Sequence, residues 1–251
     1  MFTKEYKVKH AHGRIVCDGE KIFQHALSII QDEMKKINEL LCDFPEFKNI
    51  LEPWSVPINH HGTIPRVVSR MVEAGTLYGV GPMAAVAGAI ADEVHDTLNT
   101  RGLIGKRFII ENGGELRIHG SQPVILGLQS TTTSIGNKIG FEILPDGNRY
   151  AGVGTSSATS GRGLSFGDAD LVTVFSTTAA FADAAATAIC NEAIGMTGQE
   201  IVKKGLEAAR RHENITGAFI IGSDHAGTMG VLPRLISFKD EGMDPEVAIG
   251  S

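Results

Sequence analysis

The sequence predicts an α+β fold in which sheets pack against helices, within a single domain spanning residues 1–251 and divisible into two related halves at about 1–150 and 151–251. Three observations carry this reading. Helical periodicity and strand-like runs alternate in blocks along the chain, the pattern of a mixed fold. Two helical segments, MAAVAGAIADEVHDTL and AAFADAAATAIC, consist mostly of alanine and other small residues, which let a helix lie close against a neighbouring backbone or a ligand. Finally, the order alanine-rich helix, Phe-Ile-Ile, then a polar, glycine-containing break occurs at 83–114 and again at 178–227, the mark of a duplication.

Residues 5–17 (EYKVKHAHGRIVC) alternate by two, as an edge strand or hairpin does, which would put His10 and His12 on one polar face. Residues 20–42 carry Ile22, Phe23, Leu27, Ile30, Met34, Ile37 and Leu41 at helical spacing, so an amphipathic helix with a solvated charged face is expected. Residues 43–65 hold Pro45, Pro53, Pro57 and Pro65 together with the only tryptophan, and read as a long loop whose chemical candidates are His60 and His61. Two helices are expected within 65–100, separated by the GVGP turn at 79–82. Pro82 falls near the first helical position, where its missing N–H costs nothing. Asp92, Glu93, His95 and Asp96 close the second helix and read as its wet end.

The segment RFIIENGGELRIHG, residues 107–120, predicts two strands broken at Gly113 and Gly114 by a type I′ turn or a bulge. Residues 123–129 and 139–144 continue the strand pattern, with a turn at 145–148. Residues 154–190 read as a small-residue loop, a short apolar strand and an alanine-rich helix. A helix over 197–212 begins with Thr197 and has Glu200 in capping-box position. Residues 217–230 form a buried strand running into a glycine-rich break, and the tail is weakly patterned.

Composition excludes several functions. The net charge of −6 lacks the basic footprint of a nucleic-acid binder. The longest apolar run, 80–91, is shorter than the roughly 20 residues that cross a bilayer, and the N-terminus carries basic residues where a signal segment would be apolar. Cys17, Cys42 and Cys190 form neither a CxxC pattern nor a disulfide framework. A cytoplasmic protein without nucleic-acid or membrane partners is expected.

The chemistry concentrates in residues 154–190. Thr155, Ser156, Ser157, Thr159 and Ser160 place hydroxyls among glycines, and Arg162 follows; such a segment either cradles phosphate or is a plain loop. It is not a P-loop, because GxxxxGK[ST] is absent. Asp183 and Thr187 lie four apart on a helix and point the same way, offering hard oxygen ligands of the kind Mg²⁺ takes. The alternative for Asp183 is an exposed acid in a first helical turn. The break at Asn112, Gly113, Gly114 and Glu115 exposes backbone N–H groups to a ligand. No G-x-S-x-G elbow supports a serine nucleophile, and Cys190, among small residues, reads as buried and inert. A histidine-based metal site would require His60, His61, His119 or His225 to converge.

Taken together, Thr159-Ser160-Gly161, the apolar strand 171–175 and the run Ala182-Asp183-Ala184-Ala185-Ala186-Thr187 resemble the ApbE superfamily of flavin transferases, which move FMN from FAD onto a protein threonine with Mg²⁺. IIENGGELRIHG resembles that family's D-x-GG strand, with Glu111 or Asn112 near the family's Asp. The resemblance covers about residues 80–230 and implies a T-fold-like, internally duplicated α+β architecture. It implies Asp183 and Thr187 as Mg²⁺ ligands. It places Asn112, Gly113, Gly114 and Glu115, with Thr159, Ser160, Gly161 and Arg162, against a flavin nucleotide or another phosphorylated ligand. GRGLSFGDADL stands where the transferases carry H-x-x-D-P-x-T-G. The chain's length and its GPMAAVAGAIA helix are similar to those of the shorter ApbE-like proteins of anaerobic bacteria and archaea. That group implies an alternative, a non-catalytic accessory protein in sulfur assimilation into homocysteine, acting beside an iron–sulfur partner.

Overall fold

The structure is a computed structural model, and it describes residues 1–58, 64–130, 132–133, 135–144, 147, 149–159, 165–238 and 245–250. The chain opens with a hairpin of β1 (Phe2–Val8) and β2 (Ala11–Cys17), followed by α1 (Glu20–Asp43), α2 (Arg66–Tyr78) and α3 (Val86–Thr100). A second hairpin follows, β3 (Arg107–Asn112) and β4 (Glu115–Gly120), and then β5 (Val124–Gln129) and β6 (Ile139–Ile143). The chain continues with β7 (Gly152–Ser156), β8 (Leu171–Ser176), α4 (Ala179–Glu192), α5 (Gly198–Ala209), β9 (Gly217–Gly222) and β10 (His225–Gly230). Two short strands end it, β11 (Arg234–Ser237) and β12 (Val247–Gly250).

The large sheet runs β1-β2-β3-β4-β7-β8-β9-β10, antiparallel throughout, and the small sheet runs β11-β6-β5-β12. Three layers result, and the period-2 alternation of strands explains them. Ile15, Phe108, Ile110, Val172, Val174 and Ile220 face the helices. Val16, Ile109, Leu171, Phe175, Phe219 and Ile221 turn the other way, onto Leu126, Phe141 and Ile249 of the small sheet. The eight-stranded sheet is therefore covered on both faces, which is why its strands read as continuous apolar runs.

Most elements fall where periodicity places them. In α1, Phe23, Ile30, Met34 and Ile37 are buried along one stripe. Thr197 caps α5 by accepting the Glu200 N–H, while Glu200 reaches back to the Met196 N–H. Trp54 anchors the proline-rich loop by packing on Phe44 and Phe47. Three expectations need correction. His10 lies in the β1–β2 turn, beyond the strand face that His12 occupies. The glycine-rich break at the end of 217–230 is a second strand, β10, which turns back on β9 through Ser223 and Asp224. The weakly patterned tail supplies β11 and β12, because four-residue strands are too short to show a period. No single described helix is long and apolar enough to cross a membrane.

The alanine-rich helix α4 sits directly on β7. A Cβ at Gly152 would lie 2.1 Å from the Thr178 carbonyl, and one at Gly154 would lie 2.4 Å from the Ala182 backbone. Both partners are backbone and cannot yield. Gly154→Ala is therefore expected to lower stability by about 1–3 kcal/mol, the range for overpacking a filled interior, as read from urea denaturation; an unchanged midpoint would contradict this packing.

Candidate functional site

A cleft of about 380 Å³ opens where α4, the β3–β4 turn, β7 and the chain before α3 meet. Asp183, Thr187 and Asn191 line it from one face of α4, each four residues from the next. Gly113 and Glu115 line it from the turn, Thr155, Ser156 and Ser157 from β7 and beyond, and Gly250 from β12. Lys48, Ile50 and Leu51 close it from the proline-rich loop.

The turn is a two-residue hairpin with Asn112 opposite Glu115, and both central glycines have positive φ, 69° and 113°, as a type I′ turn requires. Gly114 N–H donates to Glu111 Oε1 at 2.8 Å, and its carbonyl accepts from Thr155 Oγ1 at 3.2 Å, tying the turn to β7. Asn112 is buried, and its amide donates to the Ala87 carbonyl at 2.9 Å while accepting from the Tyr6 hydroxyl at 3.0 Å. It clamps β3 to the start of α3 instead of facing the cleft. Thr159 turns its hydroxyl toward Ser157, Thr132 and Asp170, outside the cleft lining. Ser160, Gly161 and Arg162 lie outside the described residues, as do His60 and His61.

Asp183 is 8% exposed and is no first-turn surface acid. Its Oδ2 accepts the Gly88 N–H at 2.9 Å at the start of α3. Burial pushes its carboxyl up to about 8, against the pull of the Gly88 and Ala87 N–H groups. Glu115, 5% exposed, is driven well above the usual carboxylate range, first by burial and then by the Asp183 and Glu111 carboxylates. Among the described residues neither acid is paired with an arginine or lysine. The cleft floor thus carries two buried acids that hold their protons, because their carboxylates would be poorly solvated and would repel each other in a medium of low dielectric.

The end of α3 is also acidic and buried, and burial raises the Asp92 carboxyl too, but here cations stand beside the acids. Asp92, Glu93 and His95 are 1%, 3% and 7% exposed, so the expected wet helix end is a buried charged network. Asp92 accepts the Ala179 and Ala180 N–H groups at 3.1 and 2.9 Å, capping α4, and lies 3.4 Å from Arg117 Nε. Arg70 joins Asp92, Glu93 and Asp96, and Arg66 reaches Glu93 and Asp96. Every charge here meets its opposite, the condition under which burial of charge is tolerated.

Of the candidate histidines among the described residues, His119 and His225 do not converge. His119 on β4 and His225 on β10 stand four strand positions apart in the sheet, about 19 Å at 4.8 Å per strand. Among the described residues no group of three or more His, Cys, Asp or Glu side chains is placed to hold a metal ion. Cys190 is buried and accepts from the Ser165 hydroxyl at 3.0 Å. Sequence reasoning brought Gly113, Glu115, Asp183 and Thr187 forward, and the structure gathers all four. It missed Asn191, which repeats the Asp183–Thr187 spacing and could have been found by extending it. It also missed Lys48, for which no local signal exists.

A family model described as AbpE bacteria matches residues 6–220. The UPF0280 protein of Methanocaldococcus jannaschii is 35% identical over 237 residues, covering 94% of this chain and 93% of its own. The UPF0280 protein of Methanobrevibacter smithii is 36% identical over 208 residues, 82% of this chain and 84% of its own. In fold, the chain is similar to the ApbE protein of Thermotoga maritima, with TM-score 0.52, 13% identity and coverage of 91% and 97% of the two chains. It is likewise similar to the flavinyl transferase ApbE of Pseudomonas stutzeri, with TM-score 0.51, 14% identity and coverage of 91% and 93%.

The two buried aspartates should respond oppositely to substitution. Asp92→Ala removes the acceptor for two N–H groups of α4 and the carboxylate beside buried Arg117, so a loss of about 3–5 kcal/mol is expected in chemical denaturation. Asp183→Asn keeps an acceptor for Gly88 and removes the repulsion. The folded Asp183 carboxyl titrates near 8 and the unfolded one near 3.9. Folded protein therefore holds a proton the unfolded chain has lost, and wild-type stability falls as pH rises through that window. In buffer free of divalent cations, Asp183→Asn is expected to have the higher Tm at pH 8, with the difference vanishing toward pH 4. A wild type that melts higher at pH 8 would refute the assignment.

Proposed function

The chain belongs to the AbpE bacteria family of ApbE-like proteins, and on that premise we propose that its cleft binds a flavin nucleotide, FAD or FMN, together with Mg²⁺. The observation that carries this reading is the meeting of Asp183, Thr187 and Glu115 with the polar wall of Thr155, Ser156 and Ser157 in one cleft. The donor set fits the metal: Mg²⁺ takes hard oxygens, typically one or two carboxylates with phosphate oxygens and water. Two buried acids without a basic partner are a charge distribution that a divalent cation relieves. Asp183 and Thr187 would hold the ion, with Glu115 beside it. Once bound, it neutralises charge on a phosphate or diphosphate group.

The chain's own residues supply the rest. The type I′ turn brings the backbone at Gly113 to the cleft surface, and Lys48 adds a positive charge from the facing loop. Ile50, Leu51, Val80, Met83 and Phe166 provide an apolar wall suited to a flat ring system. The volume, about 380 Å³, falls within the range of about 300–1,000 Å³ usual for small-molecule sites. The structures similar in fold are ApbE proteins, one a flavinyl transferase, and this supports the flavin as the ligand class. The double occurrence of strand–strand–helices–strand–strand supports a T-fold-like duplication with halves at about 1–150 and 151–251 as part of the same reading.

The test is calorimetric titration of FAD, FMN and ADP with and without Mg²⁺. Binding that requires the metal is expected, with affinity lowered at least about tenfold by Asp183→Ala, equivalent to about 1.4 kcal/mol. At ligand near 100 times Kd, the complex gains about 2.7 kcal/mol of stability, visible as a rise in Tm. An assay with FAD and a threonine-containing acceptor peptide extends the test to transfer. No binding in any condition overturns the reading. A pull-down from an anaerobic host that then recovers an iron–sulfur protein would put the accessory role in sulfur assimilation in its place.

A further inference from the structure

A second pocket, of about 500 Å³, lies at the far end of β4 from the cleft. Its apolar floor includes Ile118, Val124 and Ile143, and its polar rim includes Lys106, His119, Ser121 and Tyr150. Among the described lining residues two are bases and none is an acid, in a chain of net charge −6. Behind His119 stands a directed chain of hydrogen bonds. His95 Nδ1 lies 2.8 Å from Asp96 Oδ1, and His95 Nε2 lies 3.3 Å from His119 Nδ1. A carboxylate only accepts, and the hydrogen bond from His95, with the Arg70 guanidinium beside it, holds the Asp96 carboxyl well below the usual range. His95 therefore carries its proton on Nδ1 and accepts at Nε2. Arg117 Nη2, 3.4 Å from the same Nδ1, is the weaker contact. His119 must then donate its Nδ1–H to His95, which leaves the Nε2 lone pair as its remaining function, on a residue that lines the pocket.

We propose that this pocket is a second ligand site, taking a small organic anion that carries an apolar group, and that His119 binds it as imidazolium by donating an Nε2–H to the anion. The proton comes from solvent: neutral His119, one proton and the anion give an imidazolium–anion pair, with no net charge added at the site. Lys106 supplies the second positive group, and Val124 and Ile143 receive the apolar part. The groups facing His119 are His95 and, through it, Asp96 from α3, Arg117 from β4 itself, and Lys106 and Tyr150 around the rim. Burial, His95 and Arg117 keep His119 below its ordinary value, so it is neutral at pH 7 while empty. The arriving anion itself supplies the opposite charge that favours the imidazolium.

The test uses full-length protein with phenyl phosphate and benzoate as probes, followed by NMR of the histidine side-chain nitrogens. In the empty protein His119 is expected as the Nδ1–H tautomer. Either probe should convert it to imidazolium, and the stronger of the two identifies phosphate or carboxylate as the preferred head group. Affinity should rise up to about tenfold for each pH unit lost above the His119 pKa, because one proton is taken up. His119→Gln and Lys106→Ala should each weaken binding about tenfold or more. Binding of neither probe at millimolar concentration and pH 6, an Nε2–H tautomer in the empty protein, or pH-independent binding would each overturn the proposal. The tautomer is read on the wild type, so a variant that fails to fold leaves the test intact.

Discussion

The arrangement of this protein depends on a reciprocal contact between α3 and α4. Asp92, on α3, accepts the first N–H groups of α4, and Asp183, on α4, accepts the N–H of Gly88 at the start of α3. Each helix supplies the other's missing acceptors, which the first turn of any helix needs. The contact is possible only at backbone distance: a Cβ on Gly88 would lie 2.3 Å from the Ala179 carbonyl. Alanine and glycine in both helices are therefore a geometric requirement. Because α4 also rests on Gly152 and Gly154 of β7, its position is set from two sides, and Asp183 is delivered to the cleft with little freedom to retreat.

The same contact separates two aspartates that the sequence treats alike. Asp92 is surrounded by Arg117, Arg70 and two N–H groups, so its charge is answered on the spot. Asp183 has N–H groups but, among the described residues, no cation; burial and then the Asp92 carboxylate raise it, and its own carboxylate in turn raises Glu115. A fold that could place an arginine beside one buried aspartate and leaves the other unpaired keeps a local instability in the cleft. A buried carboxyl so raised, facing a cleft, is the kind of group that clusters at functional sites.

Much of this was legible in the sequence because it is periodic or conformationally forced. The stripe of α1, the strands of 107–120 and the double-glycine turn follow from spacing and from the need for positive φ. So does the pairing of Asp183 with Thr187, since four residues make one helical turn. What escaped depends on partners distant in the chain. Asp92, Glu93, His95 and Asp96 look like a solvated end because their answering charges sit on α2 and β4, at Arg66, Arg70 and Arg117. The strands β11 and β12 pair with β6 and β5 some hundred residues earlier, and four residues carry no period. Asn112 drew attention beside the glycines, yet its amide serves Tyr6 and Ala87, elements that no local pattern connects.

Strand β4 shows how one element can serve two sites without confusing them. Glu115, Arg117 and His119 alternate with Leu116 and Ile118, so all three face the helical layer. Glu115 reaches the cleft, His119 reaches the second pocket, and Arg117 lies between them, bound to Asp92 and the Thr177 carbonyl. Four residues of strand separate the ends by about 13 Å, too far for one small ligand to touch both. Yet Arg117 contacts the acid that caps α4 on one side and His95, the partner of His119, on the other. A charge change at His119 is therefore felt first by the residues that hold α4 in place. The cleft acids and the second pocket are chemically distinct, but they share one buried arginine as their common neighbour.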